Sequence, residues 1–176
     1  PLGRVLCLAE GEGRNAAYLA AQGYRVTAVD QSAVGLAKAK ALVAQNGHDI
    51  ETIEADLADF EIEPLSWDAI VSISAHLPPA IRKKIHSQIA AGLKPGGVFI
   101  LEAFTEKQLE MEGVGGPPAH QREMFMSAAE LESELTGLDL VLKRELDRDF
   151  NEGRYHQGAS SVVQIIALKT GSDRAR

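Results

Sequence analysis

The order of apolar and polar runs predicts an α/β domain: a mostly parallel sheet covered by helices on both faces and finished by an antiparallel pair of strands. Three observations carry this. Strand-like and helix-like patterns alternate from the start of the chain to Phe104. The first apolar run, Val5 to Ala9, breaks into the tight turn Gly11-Glu12-Gly13 and then into a helix-forming stretch. The last two strand-like runs, Leu138 to Leu146 and Ser161 to Leu168, have no helix between them, so they should pair antiparallel at the end of the sheet.

Ala16 to Ala21 are strong helix formers that stop at Gly23, and Tyr24 to Val29 is a second strand ending in Asp30. Ser32 is placed to cap a helix that runs through Leu36, Ala39 and Val43 to Gly47. A short strand around Thr52 to Ala55 closes at Asp56, and Trp67 to Ile73 is the next, ending at Ser74-Ala75-His76. Pro78 and Pro79 suit the first turn of a helix, where a missing N–H costs nothing. Ile81, Ile85, Ile89 and Leu93 follow at four-residue steps, one face of that helix. Lys94-Pro95-Gly96-Gly97 turns the chain into a fifth strand, Val98 to Phe104.

Beyond it, Thr105 is expected to cap a short helix, and Gly113 to Pro118 reads as a mobile loop. Ser127 and Glu130 form a capping box for a helix to Leu135, with Gly137 as its stop. Residues 1–170 are expected to make a single domain and 171–176 a polar tail. Pro1-Leu2-Gly3 enters the first strand almost at once and without an initiator methionine, so a preceding segment is expected to be missing.

The net charge of −7 argues against general nucleic-acid binding or adhesion to anionic membranes, because both need a basic face. No apolar stretch approaches the length of a bilayer span, and no signal-peptide pattern opens the chain. The lone Cys7 has no internal disulfide partner and sits in an apolar strand, where it reads as a buried small hydrophobe. A reducing, cytoplasmic setting is expected. The five histidines show no paired ligand spacing, so no metal site is expected.

The glycine turn, Asp30, Asp56 and Ser74 to His76 all fall at the carboxyl ends of successive parallel strands, the edge at which open α/β sheets bind ligands. An acid about 20 residues past the glycines is placed to hold a ribose diol. Singly, each feature has an ordinary reading: a tight turn, a solvated strand end, a capping carboxylate. Gly11-x-Gly13-x-x-Ala16 with Asp30 also satisfies a loose dinucleotide-binding pattern.

With its five alternating units, the Lys94-Pro95-Gly96-Gly97 turn and the terminal antiparallel pair, the chain resembles the class I S-adenosylmethionine-dependent methyltransferases over essentially its whole length. Gly11 to Ala16 and Glu152 to Gly158 are similar to the tellurite-resistance and thiopurine methyltransferase branch. The resemblance implies a Rossmann-like three-layer sandwich with a seven-stranded sheet, S-adenosylmethionine as cofactor and a small-molecule methyl acceptor. It implies that the Gly11-Glu12-Gly13 backbone approaches the methionine portion and ribose. Asp30 would hold the ribose hydroxyls and Gln31 flank the adenine. Asp56 and the Leu57 N–H would take the adenine ring, and Ser74 to His76 would border the methionine tail. Where the family prefers an acid and a glycine, this chain has Cys7 and Ala9, and Glu10 is a candidate to take over the acidic role.

Arg14, Asn15, His76, Arg154 and His156 are the acceptor-side candidates, the last two with Arg148 in a polar connection, Asp147 to Gly158, expected to fold over the cofactor edge. Soft acceptors such as a thiol or a metalloid oxyanion need no strong base, whereas oxygen or nitrogen acceptors do. Two other functions fit part of the pattern: a nicotinamide-dependent oxidoreductase, which lacks an obvious Tyr-x-x-x-Lys pair here, and a non-catalytic cofactor-binding module.

Overall fold

The computed structural model describes residues 2–151 and 157–171. Seven strands form one sheet: β1 (Arg4–Leu8), β2 (Arg25–Asp30), β3 (Glu51–Glu54), β4 (Trp67–Ile73), β5 (Leu93–Phe104), β6 (Asp139–Asn151) and β7 (Gln157–Leu168). Their order is β3-β2-β1-β4-β5-β7-β6. The first five are parallel, and β7 runs antiparallel to both neighbours, β5 and β6. Chain order reverses between β1 and β4, which is where an open α/β sheet forms its ligand crevice.

Alternation along the strands divides the core. Val5, Cys7, Val26, Ala28 and Val71 pack on helices α1 (Arg14–Ala21) and α2 (Ala33–Gln45) through Ala16, Ala20, Leu36, Ala39 and Val43. Leu6, Leu8, Ile70, Phe99, Leu101, Val163 and Ile165 point the other way. They pack on α3 (Pro79–Gly92) and α4 (Ala128–Glu134) through Ile85, Ile89 and Leu131. Beneath them Arg82 and His86 of α3 both reach Glu134 on α4, at 2.8 and 2.7 Å, in a cluster buried to a few per cent exposure. Burial pushes the Glu134 carboxyl up, but the hydrogen bonds from His86 and Arg82 and the guanidinium charge outweigh it and bring it down to about 2.

The caps behave as their sequences require. Ser32 accepts the Gly35 N–H, Pro79 occupies the first turn of α3, and Ser127 with Glu130 completes the capping box of α4. Four expectations need correction. Leu93 is not the last residue of the helical stripe but the first of β5, paired with Trp67, so the Lys94-Pro95-Gly96-Gly97 turn lies inside that strand as a register shift. Thr105 caps nothing with its side chain. Its hydroxyl donates to Ser161 Oγ at 2.8 Å, and the segment after it, Glu106–Glu110, is a 3₁₀ turn. The stretch expected as a polar connection over the cofactor edge is largely strand: Asp147 to Asn151 belong to β6 and Gln157 and Gly158 to β7. The Gly113 to Pro118 segment is also tied down. Val114 bridges to Gln157, and a Cβ on Gly115 would stand 2.3 Å from the Phe104 ring, so only a glycine lies flat there.

The turn inside β5 works as a clasp at the amino end of the sheet. Lys94 Nζ and the Arg4 N–H both donate to Asp68 Oδ2 at 2.7 Å, which holds that carboxyl below its ordinary value. Gly96 (φ 79°) donates to the Lys169 carbonyl at 2.7 Å, and Lys169 donates back to Gly97 at 2.9 Å. These bonds hold the starts of β1, β4 and β5 and the end of β7 in register, at the pole opposite the glycine turn.

Candidate functional site

The site is built on the way β1 ends. Ala9 has φ 50°, Gly11 φ 62° and Gly13 φ 88°, three left-handed residues within five that fold the backbone back before α1 begins. Alanine pays a steric penalty in that region and glycine does not. The position where the family prefers glycine therefore keeps glycine's conformation here. Gly13 could be nothing else: a Cβ on it would lie 2.4 Å from the Ala39 Cβ and 2.6 Å from its Cα, so the turn seats α1 directly on α2. Gly11 differs, because the space its Cβ would enter is open.

Two carboxylates shape the turn from opposite sides. Asp30, at the tip of β2, accepts the Gly11 N–H through Oδ2 and the Ser32 N–H through Oδ1, both at 2.8 Å. A carboxylate offers about four lone-pair positions, so two remain for a diol. Glu10 turns inward. Only 8% exposed, it accepts the Ala16 N–H at 2.7 Å and bonds with Asn15 and the Cys7 thiol. Gly13 gives α1 no side-chain cap, so Glu10 is the anion at that helix's amino end. Burial pushes the Glu10 carboxyl up, partly offset by those hydrogen bonds. The Cys7 thiol beside it is raised too, first by burial and then by the Glu10 charge.

A cleft of about 320 Å³ opens over the carboxyl ends of the strands. Asp30 and Gln31 line one side, Ala55, Asp56 and Leu57 another, and His76, Leu77, Pro78 and Ile81 a third, with Ala9 and Met124 completing it. Asp56 Oδ1 accepts the Ala58 N–H at 2.8 Å, which leaves its other oxygen toward solvent or a ligand. Ser74 sits at the β4 end with φ 56°. The imidazole of His76 is held by backbone at both nitrogens: Nδ1 lies 3.1 Å from the Ser74 carbonyl, and the Phe104 N–H donates to Nε2 at 2.9 Å. Its ring stacks on Phe104 and meets Phe125 edge-on.

Residues 5–97 match the methyltransferase domain family. The chain belongs to that family. Its cofactor is S-adenosylmethionine, and the sheet is the mixed seven-stranded one of the class I methyltransferase fold. The methyltransferase domain is 39% identical over 85 residues to the carboxy-S-adenosyl-L-methionine synthase of Psychrobacter sp. (strain PRwf-1), a match covering 47% of this chain and 30% of that protein. It is 31% identical over 116 residues to the uncharacterized methyltransferase YodH of Bacillus subtilis (strain 168), covering 65% of this chain and 46% of that one. The chain thus spans less than half the length of these relatives. Among solved structures it superposes on TehB from Haemophilus influenzae with a TM-score of 0.75 and 20% identity, over 96% of this chain and 58% of that one, a likeness of fold.

The geometry suits the family's cofactor. The cleft lies in the ~300–1,000 Å³ range of small-molecule sites, the backbone above Gly11 is open, and Asp30 retains acceptor capacity. Of the residues picked from sequence, Asp30, Gln31, Asp56, Leu57 and His76 line one cleft. Gly11 and Gly13 form its turn, while Glu10 lies beneath it, directed away into the α1 terminus. Arg14 is exposed on the first residue of α1. Arg148 belongs to β6, donates to both Glu102 oxygens at 2.8 and 3.0 Å and lies over the Phe150 ring. Arg154 and His156 fall outside the described residues. Sequence reasoning missed Leu77, Ile81 and Met124. Ile81 reads as part of a core stripe, and Met124 comes from a 3₁₀ turn, Ala119–Met124, that carries no pattern. No helix among the described residues is long and apolar enough to cross a membrane.

Proposed function

We propose that this chain binds S-adenosylmethionine in the strand-end cleft and transfers its methyl group to a small, soft nucleophile, a thiol or a metalloid oxyanion. The observation that carries the acceptor class is the commitment of His76. Both of its ring nitrogens are engaged by backbone, so the imidazole in the cleft is not available to take a proton from an alcohol or amine. An acceptor already ionised at neutral pH needs no such base.

The bound cofactor supplies an electrophilic methyl group on sulfur. The chain's residues hold and orient. Asp30 receives the ribose hydroxyls on its remaining lone pairs, and Gln31 flanks the adenine. Asp56 and the Leu57 N–H take the ring edge. The Gly11-Glu12-Gly13 backbone and Ser74 border the methionine portion, and Glu10 supports that turn from below. Arg14, at the exposed start of α1, is the acceptor-side cation proposed among the described residues. Alignment with the methyl carbon and exclusion of water then contribute most of the rate.

Calorimetry with S-adenosylmethionine, S-adenosylhomocysteine and NAD tests the cofactor. Micromolar binding of the first two alone is expected, and binding of NAD alone overturns the reading. Turnover assays across thiol, tellurite, phenol and amine acceptors test the class. Methylation confined to phenols or amines refutes the soft-acceptor assignment, and cofactor binding with no turnover on any of them favours a non-catalytic binding module.

A further inference from the structure

In a parallel ladder, a residue whose N–H donates to one neighbour's carbonyl offers its own carbonyl to the N–H two residues further along that neighbour. Ser74 donates to the Glu102 carbonyl at 2.8 Å, so the next rung between β4 and β5 would join the Phe104 N–H to the Ser74 carbonyl. That bond is not made. The same two groups are instead bonded to the two nitrogens of one imidazole: the Phe104 N–H donates to His76 Nε2 at 2.9 Å, and His76 Nδ1 faces the Ser74 carbonyl at 3.1 Å. A backbone N–H can only donate and a carbonyl can only accept, so the ring is the neutral tautomer with its proton on Nδ1.

We propose that His76 is a positioning residue: its imidazole replaces one rung between β4 and β5, and the gap it holds open shapes the cleft where methyl donor and acceptor meet. The inference rests on reading that cleft as the cofactor site. The ring is wider than a hydrogen bond, so inserting it parts the two strands where they end. The Ser74 carbonyl that the ring faces also accepts the His76 backbone N–H at 3.1 Å, and Ser74 itself is left-handed (φ 56°). Phe104 supports the inserted ring by stacking, at 5.6 Å between centroids, and Gly115 lies against the Phe104 ring in turn. His76 therefore orients the cleft wall and does not itself move a proton.

The ligand-free wild-type protein gives the first test. Nitrogen NMR should find the Nδ1–H tautomer and a through-hydrogen-bond coupling between the Phe104 amide and His76 Nε2. A protonated Nε2, or no coupling, overturns the inserted rung. His76→Ala and His76→Gln give the second, because a carboxamide offers one donor and one acceptor at nearly the separation of the two ring nitrogens. S-adenosylhomocysteine affinity of the folded proteins should fall at least about tenfold in His76→Ala and stay within about threefold of wild type in His76→Gln. Equal loss in both variants, or none in either, refutes the positioning role even if thermal stability drops. Wild-type protein that binds no S-adenosylhomocysteine overturns the cofactor reading instead, and the NMR coupling then judges the rung by itself.

Discussion

Asp30 accepts the Gly11 amide at 2.8 Å and so ties the tip of β2 to the crown of the glycine turn. One side chain serves both the shape of the turn and the proposed ribose contact. Asp30→Ala should cost about 1.5–3 kcal/mol of stability, the range for a hydrogen bond to a charged group. S-adenosylhomocysteine affinity should fall at least about tenfold. Urea unfolding and calorimetry read the two effects separately, and an unchanged affinity would remove Asp30 from the cofactor site.

The two glycines of the turn should respond differently. Gly11→Ala meets open space and bears only the left-handed backbone penalty, about 1–2 kcal/mol. Gly13→Ala adds a clash with the Ala39 backbone, for a total of about 2–5 kcal/mol. Equal destabilisation in chemical denaturation would mean that α1 and α2 separate more easily than their contact implies.

Glu10 gives a pH signature. Burial raises its carboxyl above the unfolded value of about 4.3. The folded chain therefore holds that proton to higher pH than the unfolded chain, and the stability linked to it is present at low pH and lost as pH rises through the raised value. Glu10→Gln keeps an acceptor for the Ala16 N–H and removes the buried charge. It should flatten that part of the stability profile and be at least as stable as wild type at pH 7. Glu10→Ala should cost about 1 kcal/mol by uncapping α1. A Glu10→Gln protein with the wild-type profile between pH 4 and 7 would show that Glu10 does not titrate there.

The Arg82–Glu134–His86 cluster has the opposite sign. Glu134 is held down at about 2. Its contribution is complete above the unfolded value of about 4.3 and is lost as pH falls toward 2. Glu134→Gln leaves Arg82, buried at 1% exposure, with the more distant and half-exposed Glu130 at 3.8 Å in place of its close anion, and should cost about 3–5 kcal/mol at pH 7. A loss below ~1 kcal/mol, the scale of a surface pair, would show that water reaches the guanidinium.

Most of the fold is legible in the sequence because apolar periodicity, caps and glycine turns are local signals. Ser32, Pro79 and the Ser127–Glu130 box sit where helices begin, and Asp30 and Asp56 sit at or just past strand ends. What was not legible is non-local. Nothing around His76 announces that its ring will bond Phe104, 28 residues on, or around Arg82 that its partner is 52 residues away. The last residues of β6, Asp147 to Asn151, read as a connection for a different reason. Asp147, Arg148 and Asp149 are consecutive charges, which resemble a loop, yet charges are what an edge strand carries to discourage pairing with another chain. The sequence puts Glu10 in the turn, but it cannot say on which side of the backbone its carboxylate lies.

Cys7 is fully buried in β1, and its thiol is held protonated beyond its ordinary range. A cysteine introduced at exposed Thr170, just past the clasp at the amino end of the sheet, would then be the one readily alkylated thiol in the chain. A dye or surface tether there stands at the pole away from the cleft. Binding could be followed by single-molecule fluorescence or on a sensor chip without first deleting the native cysteine, and with a free view of the strand ends.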